Sequence, residues 1–102
     1  MNERIRQLVK EALGGEKYER IILFGSRARG DFNAQSDHDI LITTRHALSL
    51  EDKIRIFGRV RRHLAQYDID ADVIVKSESE VDYLRHKLGS VVESAIEEGV
   101  PL

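Results

Sequence analysis

The sequence contains no cysteine, which excludes disulfides and thiolate-held metal and fits a cytoplasmic location. It has no apolar run near the ~18 residues that a membrane span requires. Its first residues, Met-Asn-Glu-Arg-Ile-Arg, lack the apolar core of a secretory signal. Charge of neither sign prevails, since 16 Lys and Arg face 18 Asp and Glu for a net charge of −2. No global basic field therefore argues for nucleic acid. Internal repeats, low-complexity tracts and linkers are also missing. What is left, 41% hydrophobic and 33% charged residues in a chain of 102, describes one soluble domain over 1–102 whose modest core must be used efficiently.

Hydrophobic spacing predicts an α/β chain, a small mixed sheet with helices packed on it. Ile5, Leu8, Val9, Ala12 and Leu13 recur at helical intervals and Gly14-Gly15 ends them. The run Ile21 to Phe24 is a first strand, broken by Gly25-Ser26. Ser26 to Arg29 forms one helical turn whose free N–H groups face an incoming anion, and a loop of turn formers follows from Gly30 to Ser36. A second strand runs from about Asp37 to Thr43. Leu50, Ile54, Phe57 and Leu64 mark one face of a long helix, Ser49 to Gln66, with Ile56 and Val60 widening the stripe and Ser49 as its cap. The second half of Tyr67 to Val75 is a third strand. Ser77 or Ser79 opens a helical region with Val81, Leu84 and Leu88, and Gly89-Ser90 divides it from a closing helix with Val91, Val92, Ala95 and Ile96. Gly99 and Pro101 end the fold. Three strands are expected in the sheet.

The chemistry should lie where the first two strands meet the intervening turn. On a strand, alternation turns Asp37 and Asp39 to one face, about 7 Å apart, and His38 to the other. Each feature alone has an ordinary explanation: Gly25-Ser26 as a capped turn, Asp37-His38-Asp39 as a solvated Asx turn, Arg27 and Arg29 as wet charges, Arg59, Arg61, Arg62 and His63 as a polar helix flank. Asp39 resists that explanation because it enters the apolar run Ile40-Leu41-Ile42, where an unpaired buried carboxylate costs several kcal/mol and a cation must offset it. Asp72 stands in the same position before Val73-Ile74-Val75. If their strands are neighbours, three acids converge. Asp68 and Asp70 extend the alternation, but only Asp72 enters an apolar strand and is forced to find a partner.

These residues carry a resemblance. Gly25-Ser26, ten residues, Asp37-His38-Asp39 and then an acid at the head of an apolar strand one helix later resemble the signature of the DNA polymerase β-like nucleotidyltransferases. Gly-Ser-Arg-Ala-Arg-Gly-Asp at 25–31 with Ser-Asp-His-Asp-Ile-Leu at 36–41 is similar to their minimal bacterial and archaeal members, over nearly the whole chain. The resemblance implies a small α/β fold, two Mg²⁺ ions held by Asp37, Asp39 and Asp72, and transfer of a nucleoside monophosphate from a triphosphate such as ATP. It further implies phosphate contacts from Gly25, Ser26 and Arg27 or Arg29. Minimal members are often encoded beside HEPN-domain proteins, and in some pairs the transferase is the antitoxin that adds AMP to a toxin tyrosine. The acceptor is then expected from a second protein or another copy of this chain. The alternatives are an antitoxin or scaffold that neutralises its partner by contact, with the acids kept for metal or nucleotide binding, and, less favoured, a fragment of a small-molecule nucleotidyltransferase.

Overall fold

The computed structural model describes residues 2–102. In chain order the elements are α1 (Asn2–Leu13), β1 (Arg20–Phe24), α2 (Ser26–Arg29), β2 (His38–Thr44), α3 (Leu50–Ala65), β3 (Ala71–Ser77), α4 (Glu78–Leu84), α5 (Val91–Glu98) and β4 (Val100–Pro101). The α/β architecture expected from the spacing is present. The sheet has four strands in the order β3-β2-β1-β4. β1 is antiparallel to both β2 and β4, whereas β2 and β3 are parallel and are joined by α3, the crossover that parallel neighbours require.

Side-chain alternation divides the core. Ile21 and Leu23 of β1, Ile40 and Ile42 of β2, and Val73 and Val75 of β3 pack against α1 and α3. Ile22, Phe24 and Leu41 point the other way, onto Ala95 of α5. Serine side chains set three helix starts. Ser49 accepts from the Asp52 N–H, Ser77 and Glu80 form a reciprocal capping box, and Ser90 accepts from the Glu93 N–H. Ser77, not Ser79, therefore opens α4.

Three expectations are corrected. First, the sheet gains β4, which a two-residue segment ending in proline did not signal; it exists because it lies beside β1, with the Leu102 N–H donating to the Ile21 carbonyl at 2.8 Å. Second, the stripe on α3 is divided. Ile56, Val60 and Leu64 are buried, while Leu50 is 72% and Ile54 58% exposed, because the helix presents its 56-60-64 edge to the sheet. Third, Leu88 lies in the exposed turn after α4 instead of on a helix.

Gly99 locks the last strand in place. A β-carbon there would stand 2.2 Å from the Ala95 carbonyl oxygen and 2.4 Å from Ile22 Cγ2. Gly99→Ala must push α5 and β4 away from β1. Urea unfolding should show a loss of about 2 kcal/mol, the scale of an overpacked core.

Candidate active site

β1 delivers the chain to Gly25 and β2 returns it past Asp39, with Phe24 opposite Asp39 in the antiparallel register. At Gly25 the backbone takes φ 72° and ψ −157°, a conformation that side chains disfavour. Its carbonyl accepts the N–H groups of Ala28 and Arg29 at 3.1 and 3.0 Å, which winds residues 26–29 into the single turn α2. Ser26 opens that turn, half-buried. A β-carbon on Gly25 would sit 2.1 Å from Asp39 Oδ2. Glycine is thus required twice, for the torsion and for the approach of the turn to the carboxylate.

Asp39 and Asp72 are directly opposite in the parallel register of β2 and β3, on strands ~5 Å apart. Both point to the face that carries α5, since Ile40 and Val73 beside them point to α1 and α3. Asp37 stands one residue ahead of β2, exposed, and is near enough to act on Asp39. The Asp39 carboxyl is held above the usual carboxylate range by burial first, then by the negative charges of Asp72 and Asp37, with Arg29 opposing. The folded state therefore favours the protonated form of Asp39. Its contribution to stability is present at low pH and lost as pH rises through the raised value.

A cation would remove that penalty. The available donors are carboxylate oxygens, the set that suits a hard divalent ion such as Mg²⁺. Asp39 and Asp72 supply an adjacent pair, and Asp37 is the third acid beside them. Among the described residues no three His, Cys, Asp or Glu side chains are already gathered at liganding distance. Mutual repulsion of carboxylates without a counter-charge works against such gathering.

The two arginines of α2 part company. Arg29 bonds to Asp31 at 3.2 Å and to Glu98 at the end of α5 at 2.9 Å, within electrostatic reach of Asp39. Arg27 donates to the Ser36 carbonyl at 3.3 and 3.0 Å and lies over the Phe32 ring, 4.4 Å from its centroid, holding the loop before β2. Two positions apart on a helical turn are ~200° apart around it. Glu98 had no sequence signal, because it reaches Arg29 across 69 residues.

His38 faces away from the acids, as alternation requires, into a small cleft among Ile5, Leu23, Arg27 and Phe32. Its Nδ1 is buried without a protein partner, and burial first, then Arg27, pushes the imidazole pKa down. Asp68 and Asp70 lie before β3 with exposed side chains. Asp68 adopts φ 59° in the turn, and the Asp70 carbonyl accepts the His38 N–H at 2.9 Å. Only Asp72 of that alternating run reaches the sheet. A cavity of about 600 Å³ between Glu16, Tyr18, Thr44 and Leu48 is at the opposite end of β1 and β2 from the acids. No helix among the described residues is long and apolar enough to cross a membrane.

Known proteins resemble this chain in sequence or in fold. A family model described as Polymerase beta, Nucleotidyltransferase matches residues 3–92. MJ0141 of Methanocaldococcus jannaschii, a candidate protein adenylyltransferase, is 43% identical over 54 residues, 53% of this chain and 54% of that protein. The match thus spans about half the length of that relative. A candidate nucleotidyltransferase of Sulfolobus solfataricus is 27% identical with a TM-score of 0.60, over 96% of this chain and 78% of that one. A tri-AMPylated Shewanella oneidensis HEPN toxin in complex with its MNT antitoxin provides a further likeness, at 18% identity and a TM-score of 0.54, over 98% of this chain and 66% of the matched one. That last likeness is one of fold alone.

Proposed function

The chain belongs to the polymerase beta nucleotidyltransferase family, and from that membership we propose that it moves AMP from ATP onto a hydroxyl of a partner protein. The observation that carries this reading is the pairing of Asp39 with Asp72 on one face of the sheet, against the Gly25 turn. Asp37, Asp39 and Asp72 would hold Mg²⁺, two ions in the full site, which when bound supplies positive charge to the triphosphate and acidifies the attacking hydroxyl.

The chain's own residues then have distinct tasks. Gly25 lets the backbone come close, and the Ser26 hydroxyl and the first N–H groups of α2 hold the β- and γ-phosphates. Arg29, anchored by Glu98, offsets the charge of departing pyrophosphate, while Arg27 orders the loop that leads to Asp37. Asp72 receives the proton of the attacking hydroxyl as its oxygen bonds to the α-phosphorus and the bond to pyrophosphate breaks. The site lies open on the sheet face, so the acceptor comes from a second molecule. A HEPN-domain protein presenting a tyrosine hydroxyl is the acceptor we favour, which would make this chain the antitoxin of such a pair.

The test is to incubate the chain with α-labelled ATP, Mg²⁺ and the product of its neighbouring gene. Label should appear on the partner, and disappear with a chelator and with Asp72→Asn. Neutralisation of the partner that survives both Asp39→Asn and Asp72→Asn, with no label transferred, would instead establish a module that acts by contact.

A further inference from the structure

β3 is an outer strand, bonded to β2 on one side only. Along its open side runs a groove of about 250 Å³ lined by Ile54 and Phe57 of α3 and by Val73 to Lys76 of β3. Leu50 and Ile54, the exposed part of the predicted α3 stripe, continue it with Phe57 at spacings of four and three. The fold leaves this apolar strip beside an unpaired row of backbone groups. Proteins ordinarily blunt such an edge with charge. Here the strand carries one acid and one base, Asp72 and Lys76, each two residues from Ile74 and on its face of the sheet.

The geometry points to a second copy of this chain as the occupant, its β3 running antiparallel to this one about a two-fold axis through Ile74. In that register Ile74 meets its own counterpart, Val73 meets Val75, and Asp72 meets Lys76 of the second copy, twice over by symmetry. Opposed residues in a continuous sheet must share a face, so the axis has to pass through a residue of the strand. Centred at Asp72 or at Lys76, it would set like charges against each other; centred at Val73, it would leave Asp72 opposite Ile74 and carry Lys76 past the end of the strand to Asp70; centred at Val75, it would leave Lys76 opposite Ile74 and set Asp72 against Glu78. Only Ile74 gives both charges of the strand an opposite charge within it. The same axis keeps both α3 helices on one face and turns their Leu50-Ile54-Phe57 strips toward each other. Each Asp72 thereby gains a cation from the second copy, on the side away from Asp39.

Sedimentation equilibrium of the purified chain at tens of micromolar should give twice the 11.7 kDa chain mass. Lys76→Glu, which opposes two acids at each end of the junction, should weaken the dimer at least tenfold while circular dichroism shows an unchanged fold. Combining it with Asp72→Lys should restore the dimer. Because the sequence has no cysteine, Ile74→Cys provides a unique thiol that should link to its counterpart on mild oxidation, whereas Gln7→Cys on α1 should not. A monomeric mass, or a dimer indifferent to Lys76→Glu and not linked through position 74, would overturn the proposal, as would a groove that accepts only a strand of another protein. These readouts are masses and do not depend on transferase chemistry.

Discussion

Asp39→Asn should abolish nucleotide transfer and at the same time make the protein harder to unfold. The two effects have one cause. Asp39 is half-buried, faces Asp72 across the strand pair and feels Asp37, so its ionised form is disfavoured by desolvation and by like charge. An amide of the same shape removes that charge from the cluster, and in a chelator solution at neutral pH the melting temperature should rise by a few degrees, the scale of about 0.5–1 kcal/mol for a chain of this size. The sign with pH follows from the raised carboxyl pKa. The parent loses stability as pH climbs through that value and the variant does not, so their melting temperatures should converge at acid pH and separate above it. Mg²⁺ should stabilise the parent and leave the variant nearly unmoved. Transfer should fall on the order of 10³-fold or more, as when a group that stabilises transition-state charge is removed. Equal melting temperatures for parent and variant from pH 4 to 8 in chelator would show that the cluster carries no electrostatic cost.

Gly25→Ala should damage both fold and site, for two separable reasons. The alanine must hold φ near 72°, which costs on the order of 1–2 kcal/mol, and its methyl group would occupy space 2.1 Å from Asp39 Oδ2. Either the turn retreats or the carboxylate swings away from Asp72, and transfer should fall roughly 10²-fold or more in both cases, since an ångström of misplacement suffices. A double-mutant cycle separates the causes. With Asp39→Ala already present the oxygen is gone, and Gly25→Ala should then cost only the torsional part. Additive stability losses would mean that the approach of Gly25 to Asp39 is unimportant.

Much of this architecture was legible in the order of residues, and the boundary follows the range of the interactions concerned. Strand parity put Asp39 on one face and His38 on the other, and Ser49 marked the start of α3, because period and capping are set by neighbours within a few residues. The Gly25-Ser26 break was visible for the same reason. Its closeness to Asp39 was not, since that distance depends on how β1 and β2 pair.

The sequence by itself determined where the helices and the three longer strands lie to within a few residues, that Asp39 and His38 take opposite sides, and that a charge entering an apolar strand needs a counter-charge. Tertiary structure alone decided that β3 lies beside β2, bringing Asp72 opposite Asp39, that Glu98 anchors Arg29 while Arg27 turns to the loop, and that the end of the chain becomes β4. It also left Leu50 and Ile54 uncovered. Each of these outcomes rests on contacts between residues distant in the chain, and their free energy leaves no periodic trace in the sequence.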